Sequence, residues 1–109
     1  MPDEKRRYPR VRCEIDSCFD DLNGAKCRCV VQDISEGGIR FRTGDFVLVG
    51  TRLSLTLNIP EKKSIEVNLC PVWINEKSDV KQYEVGSYFI SLSNEGRNLI
   101  HDAFFSGRF

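Results

Sequence analysis

The sequence predicts an all-β domain of about six short antiparallel strands followed by one C-terminal helix. Apolar and polar residues alternate along most of the chain, which is typical of strands with one buried face. Turn residues interrupt the alternation at short intervals, and strands at that spacing favour a small barrel or a sandwich. Near the end of the chain the apolar residues recur at three- and four-residue spacing, which is the period of a helix.

The first two strands form a predicted hairpin. In the segment 11–19 most odd positions are apolar, and most even positions are charged. Asn23-Gly24 follows, and this dipeptide is a strong signal for a tight hairpin turn. From 25 to 31 the odd positions are again small or apolar, so this segment is the second strand.

The next elements are separated by clear interruptions. The alternation breaks at 33–38, where Asp, Ser and Gly are the residues of a turn. A short strand with Ile39 and Phe41 facing inward comes next, and 43–50 is a loop. The segment 51–59 alternates cleanly and predicts a fourth strand.

Two further strands and the helix complete the domain. The alternation resumes after a turn at 60–63, and Pro71 implies a bulge or an edge position because proline cannot donate to a ladder. A charged loop at 76–81 leads to a last strand at 82–92, in which Gly86 marks a bend. Ser93 or Asn94 caps the helix, which Gly107 ends. The apolar face of the helix consists of Leu92, Leu99, Ile100, Ala103 and Phe104.

Length and composition define a single globular domain. The chain has 109 residues, 40% of them hydrophobic, which suffices for one core. Sixteen basic residues balance sixteen acidic ones, which argues against binding to nucleic acid through bulk charge. The sequence contains neither an apolar run long enough to span a bilayer nor a secretory signal. We therefore expect a soluble, cytoplasmic protein without membrane insertion, with a basic arm at 1–10, a barrel at 11–92 and a helix at 93–107.

Neither catalysis nor a metal site is expected. The chain has one histidine, His101, and lacks the nucleophile, base and orienting group that a catalytic triad needs. Its five cysteines are an odd number, which argues against a disulfide framework. Cys27 and Cys29 lie in an alternating run, and they suit small core residues better than zinc ligands.

The first segment with binding chemistry is the basic arm. Arg6 and Arg10 stand four residues apart, with Pro9 between them, so the arm is irregular rather than helical. A guanidinium binds a phosphate or a guanine edge bidentately, and its face stacks on a base. Viewed alone, this segment could equally be a solvated basic N-terminus.

The second segment is the turn at 33–38. An ionised Asp33 only accepts hydrogen bonds, so it suits the N1–H and N2–H₂ donors of guanine. The Ser35 hydroxyl can donate to a phosphate oxygen, while Gly37 and Gly38 permit a close approach to backbone N–H groups. Viewed alone, this segment could equally be an ordinary tight turn.

Taken together, the two segments resemble the PilZ family of cyclic di-GMP receptors. The motifs Arg6-x-x-x-Arg10 and Asp33-x-Ser35-x-x-Gly38 occur in the order and at roughly the separation of the family's two motifs. The segment 85–89 resembles the family's late strand, and the resemblance covers essentially residues 5–106. It implies a stand-alone domain built on a six-stranded antiparallel β-barrel of the split-barrel type, with a C-terminal helix.

The resemblance also implies a ligand and a mechanism. Arg6 and Arg10 would hold guanine edges and phosphates, Asp33 would read a guanine edge, Ser35 would contact phosphate, and Gly38 would leave room for the nucleotide. Secondary candidates for the site are Lys5, Arg7 and Gly37. A basic Lys5 before the first motif arginine favours two stacked ligands per domain. Ligand binding would order the arm and present a new surface to a protein partner acting in trans.

Two other functions stay open at this stage. The domain could be a PilZ-like adaptor between proteins that does not bind the nucleotide. It could also bind single-stranded nucleic acid, but such proteins need a long basic groove with exposed aromatic residues. Zero net charge and inward-phased aromatic residues such as Phe19 and Phe41 argue against that second alternative.

Overall fold

A computed structural model describes residues 10–21 and 23–105 of the chain. Within these ranges the backbone forms six strands and one helix. The elements are β1 (Val11–Asp20), β2 (Lys26–Ile34), β3 (Gly38–Thr43), β4 (Leu53–Asn58), β5 (Ser64–Lys77), β6 (Gln82–Ser91) and α1 (Asn94–Phe104). All neighbouring strands are antiparallel and close into a ring in the order β1-β2-β3-β6-β5-β4. The predicted six-stranded antiparallel β-barrel with a C-terminal helix is confirmed.

The core of the barrel consists of the inward side chains that the alternation marks. Phe19 and Phe41 are almost fully buried, and their ring centroids lie 5.6 Å apart. The regular alternation of β4 buries Leu53, Leu55 and Leu57. Burying each such side chain contributes roughly 1.5–3 kcal/mol, so the strand pattern also determines which face of each strand is stabilised.

The helix begins with a well-formed cap and packs against the start of β5. The Gly96 N–H donates to Ser93 Oγ at 2.9 Å, which satisfies one of the donors left unpaired in the first turn. Ile100 is buried in the core cluster, and Leu99 and Ile65 pack against that cluster. Ser93 is therefore the N-cap, while the predicted end at Gly107 lies outside the described residues.

Strand β2 is longer than the alternation indicates. The predicted break at Asp33 is wrong, because β2 continues to Ile34 and Asp33 pairs with Arg12 on β1 and Arg40 on β3. A register shift between Val31 and Asp33 changes the phase of the alternation at this point. Of the two alternatives expected at Pro71, a bulge or an edge position, the structure shows the bulge, since the β5–β6 register shifts between Pro71 and Trp73.

The described residues show two further features of general relevance. Their one helix lacks the length and apolar character that crossing a bilayer requires. Within the same part of the chain, no group of three or more His, Cys, Asp or Glu side chains is placed to hold a metal ion. The five cysteines carry free thiols, of which Cys27 and Cys29 are buried.

Candidate functional site

The two sequence motifs meet at one end of the barrel. Arg10 stands directly before β1, and Asp33 lies near the end of β2. The Arg10 Nη1 atom lies 3.3 Å from Asp33 Oδ1, although 23 positions separate the two residues. The antiparallel pairing of Val11 with Ile34 produces this contact, because it brings the start of β1 beside the end of β2. The barrel itself therefore joins the arm to the turn.

Four strands contribute to the site in a single row. Asp33 on β2 pairs with Arg40 on β3, and Arg40 pairs with Gly86 on β6. Gly86 in turn pairs with Trp73 on β5. This register sets a carboxylate, a guanidinium, a position without a side chain and an indole side by side across the sheet.

The Asp33 carboxylate is buried between two arginines. Its side chain is 8% exposed, and Oδ2 accepts a hydrogen bond from Arg40 Nε at 2.8 Å while Oδ1 faces Arg10. A buried charge is costly unless it is paired and hydrogen-bonded, and these contacts meet both conditions. Arg40 also reaches Glu84 on β6, where its Nη1 atom lies 3.4 Å from Oε2.

Ser35 organises the turn between β2 and β3. Its Oγ accepts hydrogen bonds from the Gly37 and Gly38 N–H groups at 3.1 and 3.2 Å, and its own N–H donates to the Gly38 carbonyl at 2.9 Å. The carbonyl of Gly37 accepts from the Phe89 N–H at 3.0 Å, which ties the turn to β6. The turn chemistry considered from the sequence is thus present, and it fixes the floor of the site.

Gly38 is required by the neighbouring strand. A Cβ atom at this position would lie 2.1 Å from the carbonyl oxygen of Ser87 and 2.8 Å from the Cα atom of Tyr88. Real Cβ atoms do not approach backbone atoms so closely, so the glycine permits β3 and β6 to pair where the turn begins. The space beside Gly38 is occupied by β6, which is a physical reason for the glycine that the motif alone does not reveal.

An exposed aromatic wall borders the same site. Trp73 and Tyr88 are 41% and 48% exposed, and Val72 beside them is 48% exposed. The Trp73 ring covers Gly86 so closely that a Cβ atom there would lie 2.2 Å from the indole. A hydrogen bond to Cys70 raises the pKa of Tyr88 above its ordinary value, so the phenol is uncharged near neutral pH.

These groups enclose a cavity of about 210 Å³. The cavity is lined by Arg10, Asp33, Ser35, Gly37, Gly38, Ile39, Arg40, Val72, Trp73, Gly86, Ser87 and Tyr88. The described residues that the sequence analysis named as candidate ligand contacts therefore all line one cavity. The remaining candidates, Lys5, Arg6 and Arg7, lie outside the described residues.

Sequence reasoning missed three prominent residues of the site. Arg40 lies between the inward-facing Ile39 and Phe41, which indicates only that it faces outward, and neither Trp73 nor Tyr88 is marked by a motif. The break in alternation after Pro71 was an available signal, because the resulting bulge turns Val72 and Trp73 toward the surface. The role of Arg40 depends on its pairing with Asp33 across two strands, and the sequence does not specify the register of that pairing.

The site combines groups that suit a planar, anionic ligand. Arginine forks bind anions and guanine edges, a carboxylate accepts from amide-like donors, and an indole offers a face for stacking. The N–H groups of Ser35, Gly37 and Gly38 are hydrogen-bonded within the turn, so the side chains supply the contacts to a ligand. A nucleotide with a base and a phosphate presents partners for all of these groups.

Comparisons with known proteins agree with the fold. The model of the PilZ domain family matches residues 4–106. A comparison with curated proteins finds no match. Among solved structures, the PilZ domain with c-di-GMP of YcgR from Escherichia coli aligns with a TM-score of 0.76 at 17% identity, covering 94% of this chain and 90% of that one.

Two longer proteins are similar over part of their length. The K. pneumonia MrkH–c-di-GMP complex aligns with a TM-score of 0.76 at 21% identity, covering 90% of this chain and 50% of that one. The Bacillus subtilis inhibitor of motility, MotI/DgrA, aligns with a TM-score of 0.74 at 19% identity, covering 87% and 47%. This chain therefore spans about half the length of these two proteins, and the likeness to them concerns the fold.

Proposed function

The chain belongs to the PilZ domain family, and we propose that it is a receptor for cyclic di-GMP. The YcgR domain and the MrkH complex that share its fold are c-di-GMP complexes. The proposal assigns binding to this domain and does not assign it a reaction. We also propose that the protein is cytoplasmic, since its odd number of cysteines argues against a disulfide framework of the kind found in oxidising compartments.

One observation carries the proposal: the contact of 3.3 Å between Arg10 and Asp33. It joins the arginine motif to the aspartate motif at the cavity, and neither motif is specific when it stands alone. Arg10 is 41% exposed, and it precedes β1 directly, so its guanidinium has room to move from Asp33 to a ligand. Asp33 then accepts from the N1–H and N2–H₂ donors of a guanine.

The rest of the cavity supports the same ligand. Trp73 and Tyr88 offer exposed aromatic faces to a base, and such stacking contributes about 1–3 kcal/mol per base in other nucleotide-binding proteins. Ser35 lines the same cavity, and its hydroxyl is the group of the turn that we assign to a phosphate oxygen. The residues that line the cavity include two guanidiniums, Arg10 and Arg40, and one carboxylate, Asp33, which leaves one net positive charge to attract an anion.

The cavity is small for a whole dinucleotide. Ligand sites usually have volumes of about 300–1,000 Å³, against about 210 Å³ here. We propose that the arm at 1–10 supplies the missing wall by closing over the bound nucleotide. Arg6 joins Arg10 at the phosphates and guanine edges, and Lys5 and Arg7 add charge. The closed arm then offers a new surface to a protein partner acting in trans.

The first test is a calorimetric titration with cyclic di-GMP, cyclic di-AMP and GTP, performed on the intact chain and on Arg10→Ala. We expect binding of cyclic di-GMP that the other two nucleotides do not match. Losing one bidentate arginine contact costs about 1–3 kcal/mol, so Arg10→Ala should weaken the affinity about tenfold or more. Arg52→Ala removes the same charge from an exposed position at β4 and serves as the matched control.

The outcomes separate the proposals from each other. Equal affinity of the Arg10→Ala and wild-type proteins would remove Arg10 from the site. A wild-type chain that does not bind cyclic di-GMP would leave the adaptor function as the better description. Saturation at two equivalents is the expected stoichiometry, and saturation at one would rule out the stacked pair of ligands that Lys5 favours.

A further inference from the structure

The two oxygens of the Asp33 carboxylate have different partners. Arg40 Nε donates to Oδ2 at 2.8 Å, whereas Arg10 Nη1 lies 3.3 Å from Oδ1. The Arg40 side chain is 24% exposed, and the Arg10 side chain is 41% exposed. The Arg40 contact is therefore the shorter and better shielded of the two, and in water-poor surroundings such a charge-assisted bond is the stronger one.

Arg40 is itself held from its other side. Its Nη1 atom lies 3.4 Å from Glu84 Oε2, and Lys77 Nζ lies 3.9 Å from Glu84 Oε1. Arg40 stands inside β3, paired with Asp33 on β2 and with Gly86 on β6. Its guanidinium thus bridges two carboxylates on strands that flank β3, and a planar fork in this arrangement has little freedom to rotate.

We infer that Arg40 is a positioning residue for base recognition, and this inference rests on the proposed function. It fixes the orientation of the Asp33 carboxylate before any ligand arrives, and a guanine displaces Arg10 but not Arg40. An ionised carboxylate has about four lone-pair positions. The bond to Arg40 uses one of them and leaves the others to accept from N1–H and N2–H₂ of the base.

This arrangement has a consequence for selectivity. A carboxylate held at a fixed angle can accept from two adjacent donors at once, and guanine presents two such donors. Hypoxanthine presents N1–H alone, because it lacks the N2 amino group. The preference for guanine over hypoxanthine therefore measures how well the carboxylate is oriented, since the two bases differ only at the group that Asp33 would read.

The test compares cyclic di-GMP with cyclic di-IMP by calorimetric titration of the full chain and of Arg40→Gln. A correctly placed bidentate contact discriminates between bases by about 5- to 150-fold. We expect the wild-type chain to prefer cyclic di-GMP by about tenfold or more, and Arg40→Gln to reduce that preference to about two- to threefold. Damage to the fold alone would weaken both ligands equally and leave the preference unchanged.

Arg42→Gln is the matched control. Arg42 lies two positions further along β3 and contacts Glu14, whose side chain is 73% exposed, instead of Asp33. The control should keep the wild-type preference. Should Arg40→Gln fail to fold in a thermal unfolding assay, Glu84→Gln tests the same idea, because it removes the negative charge that strengthens the contact holding Arg40. It should reduce the preference as well.

The outcomes distinguish this inference from the function on which it rests. A wild-type chain that binds cyclic di-GMP, together with a full guanine preference in Arg40→Gln or in Glu84→Gln, would overturn the role of Arg40 and leave the receptor function standing. A wild-type chain that binds neither dinucleotide would overturn the receptor function, and this inference with it.

Discussion

At the scale of single residues, two cysteine thiols are part of the packing of the barrel. Burial raises the pKa of Cys29 to about 12. Burial and the nearby charge of Asp33 raise the pKa of Cys13 to about 11. Since the thiolate is the reactive form, both groups are poor nucleophiles near neutral pH. They behave as small apolar side chains in the folded protein.

These thiols predict a loss of stability in alkaline solution. In the unfolded chain a thiol loses its proton near pH 8.5, while the folded chain holds it until about pH 11–12. The stabilisation is therefore complete below about pH 8.5 and declines as the pH rises toward the folded pKa values. We expect the free energy of unfolding, measured with denaturant, to fall by about 2 kcal/mol for each of these two groups between pH 8 and 10.5, or about 4 kcal/mol in total.

The doubly substituted chain Cys13→Ala/Cys29→Ala is the control for this effect. Its stability at pH 8 should be lower, because the partly buried side chain of Cys13 and the buried side chain of Cys29 both become smaller. Its decline with pH should nevertheless be shallower than that of the wild-type chain. An equal decline in both proteins would show that other groups, such as tyrosines and lysines, account for the alkaline behaviour.

The residues of the site divide by how they could be recognised. Arg10, Asp33, Ser35 and Gly38 stand at short, fixed spacings, so local sequence contains the information that marks them. Arg40 acquires its role only through register, because its outward direction says nothing about which strand carries its partner. The position of Trp73 likewise depends on register. Its ring lies over Gly86 of β6, where a side chain would collide with the indole.

At the scale of the elements, the close pairing of β3 with β6 is the most demanding feature of the site. Gly38 faces Tyr88 in this ladder, and the Ser87 hydroxyl donates to the Ile39 carbonyl at 2.8 Å. The turn after β2 enters the ladder at this point, so its shape depends on β6 as much as on its own residues. Any side chain at Gly38 would separate the two strands.

We predict that Gly38→Ala destabilises the fold, while Gly44→Ala does not. At Gly38 the added Cβ would meet backbone atoms that cannot rotate away, and overpacking of this kind costs about 1–3 kcal/mol or more. At Gly44 no atom lies within 4 Å of the added Cβ, so the change should stay within about 0.5 kcal/mol. Denaturant unfolding of both variants beside the wild-type chain measures the difference, and equal stabilities would contradict the close approach.

The strands themselves were largely predictable, and the exceptions have a local cause. A period of two identifies a half-buried strand wherever the register is regular, as in β4. At the end of β2, Gln32 and Asp33 are two polar residues in succession, and such a pair resembles a loop. A register shift at this point keeps both residues in the strand. A bulge can therefore hide part of a strand from its own periodicity, as it does at the end of β2, whereas Pro71 announces the bulge in β5.

At the scale of the whole molecule, the proposed mechanism couples the N-terminal arm to the barrel through a small ligand. The arm contains trypsin sites at Lys5, Arg6 and Arg7. If the arm closes over the nucleotide, these peptide bonds become inaccessible in the complex. Cleavage would then proceed through the fraction of molecules without ligand, which falls as the ligand concentration rises.

We therefore predict that saturating cyclic di-GMP protects the arm from trypsin. At a ligand concentration of about 100 times the Kd, cleavage in the segment 5–7 should slow by about tenfold or more, as followed by mass spectrometry of the fragments. Cleavage at Lys62 and Lys63, which are exposed in the turn before β5, serves as the internal control. Binding without protection of the arm would retain the receptor and discard the closure.

The six paired strands form a closed ring, and this limits how a conformational change at the binding site can be transmitted through the protein. A sheet with two free margins can splay or slide, but a closed cylinder resists such distortion, since every strand is hydrogen-bonded on both sides. We therefore expect the barrel to keep its shape when a ligand binds, and not to carry a conformational change through its core. If the domain binds cyclic di-GMP as we propose, a partner protein must recognise the outer surface of the barrel, where the bound nucleotide would change the exposed groups.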